Sequence, residues 1–478
     1  MGQEIGSVEF GSADFDRFGL RLEAETDRLR DMWRNRALSS SGPVIGFELE
    51  AWLVDRNFFP APDNQSFLAR LADPLVVAEL SRFNIELNGT PRPLGGEGLG
   101  LIEREMAQTW QRCLAAAHGD VDTAIAIGTL PTLREADLSS ASMTPARRYA
   151  ALNKVIMEGR GNVPVPIHID SVIEAGSPLV TQHRDVMLEA ATTSFQLHLQ
   201  VPSDRFVSIF NASLALSGPL LALSANSPFL FGHALWHETR IPVFEQAFAG
   251  PLAEGEDPGS RRVGFGSGYL DADPLRLFEE NLRDHSVLLP VMQDGAPERL
   301  PHLRLHNGTV WRWNRPLVGF DPDGTPHLRL ELRIMPAGPS LIDMVANAAF
   351  AYGALFALAE EGGDVAARLP FARARGNFYA AARHGLMAEQ AWLDGQMLPA
   401  RAVLAAMVPA AREGLLRQGV ARDLVDRYLD VIEVRLASGQ NGAEWQLAHY
   451  RRHGDLFGLT ADYLENQRSG MPVHEWRV

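Results

Sequence analysis

Several segments of this chain alternate apolar and polar residues in a way that suits strands with one buried face. Side chains point to opposite sides along a strand, so residues i and i+2 share a side. In VIGFELEAWLV (44–54), Ile45, Phe47, Leu49, Ala51 and Leu53 fall on one side. Glu48 and Glu50 fall on the other, roughly 7 Å apart by the strand rise. FQLHLQV (195–201) sets Phe195, Leu197, Leu199 and Val201 against Gln196, His198 and Gln200. HLRLELRI (327–334) sets Leu328, Leu330, Leu332 and Ile334 against His327, Arg329, Glu331 and Arg333. IELN (85–88) opposes Ile85 and Leu87 to Glu86, and TVWRWNR (309–315) puts Thr309, Trp311, Trp313 and Arg315 on one side.

One arrangement accounts for all five: an antiparallel or mixed sheet with its apolar face on helices and its other face a polar bowl. Glu48, Glu50, Glu86, Glu331 and His198 would suit a hard divalent cation, Mg²⁺ or Mn²⁺ rather than zinc. Arg315, Arg329 and Arg333 suit bidentate binding of phosphate or carboxylate. Metals and arginines around one cavity describe a nucleotide phosphoryl-transfer site. The alternation by itself also fits ordinary solvated faces. Glu48 and Glu50 would then be surface acids, His198 a satisfied sheet histidine, and Arg329, Glu331 and Arg333 an ion-pair ladder.

Around these strands the pattern predicts helices over 13–36, 67–82, 101–118, from near 145, and over 206–224. Further strands are expected over 124–130, 193–202, 310–315 and 327–335, the last two joined by the Asp-Gly turn of FDPDGTP. The glycine-rich stretch 250–268 is a candidate lid. After about residue 365 strand signals fade and the chain reads as helices rich in Ala, Leu and Arg. With 478 residues, the α+β reading therefore divides into a catalytic domain, 1–365, and a helical C-terminal region, 366–478.

Composition excludes several classes. Lys and Arg number 44 against 59 Asp and Glu, a net charge of −15 that speaks against nucleic acid as a partner. The single cysteine, Cys113, allows no intramolecular disulfide and no Cys-rich zinc site. The polar, acidic start has no signal-peptide pattern. The longest apolar run, Met344–Ala359, is short for a span of ~18–20 residues and contains Asn347, so a core helix and a cytoplasmic protein are expected. Neither glycine-rich stretch gives G-x-G-x-x-G, and no Walker motif or H-E-x-x-H is present. His302 and His306 are four apart, but their Leu and Arg neighbours read as an extended stretch rather than a metal-binding helix.

In order along the chain stand GFELEAWLVD (46–55), IELN (85–88), LHLQV (197–201), ALSANSPF (222–229) with HETR (237–240), VWRWNRP (310–316) and HLRLELRIMPAGP (327–339). Together they resemble the glutamate–cysteine ligase type 2 family, among the glutamine synthetase-like carboxylate–amine ligases. The resemblance covers roughly residues 40–360. It implies a curved, mostly antiparallel sheet with helices on the convex face and the active site on the concave one. It also implies an ATP- and Mg²⁺-dependent reaction through γ-glutamyl phosphate. Carried over residue by residue, it makes Glu48, Glu50, Glu86, His198 and Glu331 metal ligands, His198 having an ATP phosphate as a second possible partner. Arg329 and Arg333 become contacts to phosphate or to the carboxylates of glutamate. Arg240 becomes a substrate or phosphate contact and Arg315 an anion contact. Asn226 and Trp313 enter as substrate-side residues, with capping or orienting a loop the preferred role for Asn226.

Gln196 departs from the second polar ligand that relatives carry, and neither 250–268 nor the tail matches a family motif, which leaves the amine acceptor open. Cysteine is the acceptor the resemblance implies, with glutamate as donor and a homo-oligomer left open. Two other functions remain: a guanidino phosphotransferase of the same superfamily, and a non-catalytic binding or regulatory member, against which the retained acidic ligands argue.

Overall fold

The computed structural model of the chain describes residues 4–249, 261–360, 365–393 and 395–478. Eight strands form one sheet: β1 (Val44–Val54), β2 (Val76–Ala78), β3 (Asn84–Asn88), β4 (Arg92–Pro93), β5 (Thr123–Ile125), β6 (Phe195–Gln200), β7 (Asn314–Phe320) and β8 (Pro326–Leu332). The order is β7–β8–β6–β1–β3–β2, with β4 and β5 also paired to β1, and every pairing is antiparallel. The eleven residues of β1 make it the spine of the sheet.

The alternation does what hydrophobic burial requires of it. Phe47, Leu49, Leu197, Leu199, Leu328, Leu330 and Leu332 are all buried. Two helices, α1 (Phe206–Ser224) and α4 (Leu341–Glu360), form the core with them, and both are buried along nearly their whole length. A helix apolar on all sides belongs in such a core. By length and composition both could cross a membrane, yet 89% of each apolar window is buried inside the protein. Tyr352 of α4 donates its hydroxyl to the carbonyls of Gly46 and His198, at 3.3 and 3.2 Å, pinning the helix to the two central strands.

The C-terminal region packs on these same helices. A Cβ on Gly353 would lie 2.3 Å from the carbonyl oxygen of Ala411, and one on Gly414 would lie 2.1 Å from that of Gly353. Only glycine permits that backbone approach between α4 and the helix Ala400–Arg417. A buried ion pair, Arg435 Nη2 to Asp343 Oδ1 at 2.6 Å, ties a further helix to the start of α4.

Four expectations differ from the fold. The helix read over 67–82 ends at Leu71, because Pro74 cannot continue it, and the chain re-enters as β2. The strand read over 124–130 pairs only as β5, Thr123–Ile125. The tail is not purely helical, since Glu389–Ala391 and Met397–Pro399 form a hairpin. Residues Pro301–Asn307 form a short helix, α3, not an extended stretch. In it His302 bonds Glu25 and His306 bonds the carbonyl of Asn281, so both histidines are structural. The candidate lid lies largely outside the described residues.

Candidate active site

The sheet register assembles the site. His198 on β6 stands opposite Gly46 on one side and opposite Glu331 of β8 on the other. Its Nε2 lies 3.2 Å from Oε1 of Glu48 and 3.9 Å from Oε1 of Glu331. One ligand atom from each of Glu48, His198 and Glu331 falls within 4.8 Å of the others. Among the described residues, Nδ1 of His198 is buried and makes no hydrogen bond, and Nε2 has only its carboxylate neighbours. Glu331 also receives Arg315 as a two-point contact, Nε at 2.6 Å and Nη2 at 3.0 Å, and Arg333 Nη1 at 3.4 Å.

A second acidic group adjoins the first. Glu50 on β1 faces Glu86 on β3 directly across the ladder. Glu50 accepts the backbone N–H of Ser194 at 2.7 Å and the amide of Gln196 at 2.9 Å. Glu86 accepts from Asn88 at 3.0 Å. Glu79, just after β2, and Glu189, in the short turn Met187–Ala191, complete the group.

The two groups carry opposite electrostatics. Burial would raise Glu331, but the Arg315 and Arg333 guanidiniums outweigh it and hold the carboxyl well below the usual range. Glu48 behaves the same way: burial raises it, and the facing His198 brings it below its ordinary value. On the other wing burial wins. Glu86 is pushed up to about 8 by burial and then by the charge of Glu48. Glu189 rises to about 8 through burial and Glu50. Glu79 is raised well above its ordinary value by burial and Glu86, and Glu50 is raised by burial despite Arg333. Buried carboxylates whose positive neighbours do not offset burial hold protons or a cation.

The four predicted arginines have four different placements. Arg333 reaches Gln196 and Glu331, so it faces the acidic wing. Arg329 has a buried Nε with no hydrogen-bond partner. Arg315 is committed to Glu331 and to the carbonyl of Gly308. Arg240 is not presented to the site. It heads α2 (Arg240–Ala247), is 2% exposed, and spends its donors on Glu238 and the carbonyls of Arg333 and Ile334. Its role is to hold the end of β8. Asn226 is fully buried and orients a loop, the role preferred for it over a substrate contact. It donates to Ala337 O at 2.7 Å and the Tyr463 hydroxyl at 2.8 Å, and accepts from Gln446 at 2.8 Å.

Trp313 is not on the substrate side: it is 1% exposed and, like Trp311, packs against Phe244. The chain leaves the Trp311–Arg312 bridge and joins β7 only at Asn314, so the strand changes partners at this residue. The indole turns into the core against Phe244 and Phe378 and donates to Glu245 at 2.8 Å.

Sequence reasoning missed Gln196, which joins Glu50 to Arg333, as well as Glu79 and Glu189. Gln196 was visible on the polar side of its strand, where an amide was read as a missing ligand. Pro74 was the available signal for Glu79, because breaking the expected helix there leaves VVAEL free to run beside β3. Glu189 sits in a turn of no periodicity, and nothing local marks it.

The sequence matches the profile of the Glutamate-cysteine ligase family 2 over residues 44–462. Among solved structures the fold is similar to glutamate–cysteine ligase from Francisella tularensis in complex with AMP, at 12% identity, with 90% of each chain covered and a TM-score of 0.56. It is also similar to a bifunctional glutathione synthetase from Pasteurella multocida, at 13% identity and a TM-score of 0.54, covering 89% of this chain and 52% of that one. The chain thus spans about half the length of the second protein. At such identities the likeness concerns the fold. No curated protein matches the sequence.

Proposed function

This chain belongs to the Glutamate-cysteine ligase family 2, and on that footing we propose that it is an ATP-dependent carboxylate–amine ligase that joins the γ-carboxylate of glutamate to an amine such as cysteine. The observation that carries the reading is the convergence of Glu48, His198 and Glu331 between Arg329 and Arg333 on one sheet face.

The donor set fits Mg²⁺ or Mn²⁺. It offers carboxylate oxygens and one imidazole, His198 has a buried Nδ1 with no hydrogen-bond partner among the described residues, and burial holds the neighbouring Glu86 and Glu189 carboxyls up at about 8. Glu48, His198 and Glu331 would hold one ion, and Glu50 with Glu86 would face another. Bound there, the metal would neutralise polyphosphate charge.

The protein groups then divide the work. Arg333, fixed by Gln196 and Glu331, would orient the carboxylate of glutamate for in-line attack on the terminal phosphorus of ATP. The new bond joins the γ-carboxyl oxygen to phosphorus as the bond to ADP breaks. The amine nitrogen next attacks the acyl carbon, phosphate leaves, and the nitrogen gives up a proton. Burial of the site excludes water, which would hydrolyse the acyl phosphate. The test is phosphate release from ATP with Mg²⁺ and glutamate across a panel of amines. Release that needs both glutamate and an amine is expected, and release independent of glutamate removes the reading. Success with an amine other than cysteine keeps the reaction class and changes the acceptor.

A further inference from the structure

Trp313 is where the C-terminal region reaches the end of β8 that carries Arg333. Its main chain is sewn in on both sides: its N–H donates to the carbonyl of Gly264 at 3.0 Å, and its own carbonyl accepts the N–H of Arg333 at 2.9 Å. Its indole packs against Phe244 of α2 and donates to Oε1 of Glu245 at 2.8 Å. The same Oε1 accepts the hydroxyl of Tyr379 at 2.9 Å. Tyr379 stands on α5 (Phe371–His384), the first long helix of the C-terminal region. Its neighbour Phe378 packs on the indole, with 5.8 Å between ring centroids. One residue earlier, Asn377 exchanges two hydrogen bonds with Ala391, at 2.7 and 2.8 Å, which fixes this turn of α5 to the strand Glu389–Ala391.

Arg333 is located by the same few residues. Its carbonyl accepts Nη1 of Arg240 at 3.3 Å, and the Arg240 guanidinium carbon lies 5.2 Å from the centroid of the Trp313 ring. Its own guanidinium carbon lies 5.9 Å from the centroid of Phe244. Phe244 and Glu245 are consecutive on α2, so one touches the Arg333 side chain while the other holds the indole. A carboxyl is a costly way to fill this place. Burial pushes Glu245 up to about 7, against both donors and the charges of Arg261 and Arg375. An apolar side chain would pack here without that cost. What the carboxyl adds is direction. One acceptor atom, fixed from the C-terminal side, sets the turn of an indole whose backbone holds Arg333. A shift of about 1 Å in a substrate-orienting group is enough to cost a large factor.

We propose that Tyr379 and Glu245 are positioning residues for Arg333: acting through Trp313, they let the C-terminal region set the affinity of the site for the carboxylate donor. This rests on the ligase reading, in which Arg333 orients the carboxylate of glutamate. It gives the region after residue 365 a part in the reaction that packing alone does not require. The bonds end at Arg333, so glutamate rather than nucleotide should feel their loss.

Titration calorimetry of the full chain in Mg²⁺, with glutamate in the presence of ADP and with ADP alone, tests this relay. Tyr379→Phe is expected to weaken glutamate about fivefold, the size of one lost hydrogen bond, and ADP by less than about twofold. Glu245→Leu, which frees both donors, should weaken glutamate by about tenfold or more, and Glu245→Gln, whose amide oxygen accepts the same pair, should restore most of that loss. Tyr428→Phe is the control. It removes a bond of the same kind, from Tyr428 to Oε2 of Glu103 at 2.8 Å, which ties the C-terminal region to the helix Gly98–Ala116 instead. Wild-type glutamate affinity in Tyr379→Phe overturns the relay, whatever Glu245→Leu does. So does an equal loss of ADP affinity, an equal effect of Tyr428→Phe, no recovery in Glu245→Gln, or a wild-type chain that binds no glutamate. Calorimetry does not depend on amide formation. Tyr379-dependent glutamate binding without amine-dependent phosphate release would keep the relay and remove the ligase reading.

Discussion

The two wings of the site use the same residue at the same depth and reach opposite states. Glu331 and Glu86 are both almost wholly buried, at 1% and 0% exposure. Glu331 stays ionised because Arg315 grips both its oxygens and Arg333 stands beside it. Glu86 is short of such cations: it faces Glu50 across the ladder, with Glu48 and Glu79 close by. Burial therefore sets the scale of a carboxylate's shift, and the sign comes from which strand lies next to it. The arginine wing has its positive charge built in, while the acidic wing waits for a cation.

The largest effect expected from breaking this contrast is at Glu331. Glu331→Ala leaves Arg315 and Arg333 buried without their carboxylate, and should cost about 3–5 kcal/mol in urea denaturation as well as all turnover. Wild-type stability would mean that the pair is not a structural tie. Glu48→Gln should abolish Mg²⁺-dependent ATP turnover with little loss of stability, because Glu48 is only half-buried and holds no arginine. Turnover near the wild-type rate would detach Glu48 from the metal site.

Gln196→Leu cuts the hydrogen-bonded bridge from Glu50 to Arg333, leaving each short of a partner. It should cost about 1–3 kcal/mol and raise the KM for glutamate more than that for ATP. Equal changes in both would show that Gln196 does not divide the two substrates.

The smallest effect is a slope. Glu86 and Glu189 have folded values of about 8 against an ordinary 4.5. Between those values the folded chain keeps protons that the unfolded chain has released. Metal-free stability should therefore be greatest near the lower value and fall as the pH rises through 8. Glu331 works in the opposite sense: its contribution is present above its unfolded value and is lost as the pH falls below it. Urea midpoints at pH 5, 6.5 and 8 should show the fall in EDTA and a flatter profile in Mg²⁺. Glu189→Gln should flatten the EDTA profile in part. A profile that Mg²⁺ leaves unchanged would separate the acidic wing from cation binding.

How much of this was legible varied with the kind of signal. Period-two alternation is dictated by the pleat, so β1, β6 and β8 could be read residue by residue, together with the face that carries Glu48, His198 and Glu331. The Asp-Gly turn between β7 and β8 was equally local, with Gly324 at φ +92°. Trp313 failed as a substrate-side residue because its indole is spent in the core on Phe244, Phe378 and Glu245, residues far from it in sequence. Arg240 and Asn226 stood inside recognisable motifs, yet their donors go to strands and helices far away in sequence. A motif cannot show which way such a side chain is spent.

Sequence alone therefore determined which residue types share a strand face, since that follows from backbone geometry. It also supplied the ordered motifs of the family. The tertiary structure decided which faces meet. Strand order put His198 between Glu48 and Glu331, set Glu50 against Glu86, and gave the direct arginine ion pairs to Glu331. Those pairings join residues far apart in sequence, and each carboxylate's charge depends on its neighbours across the ladder rather than along its own strand.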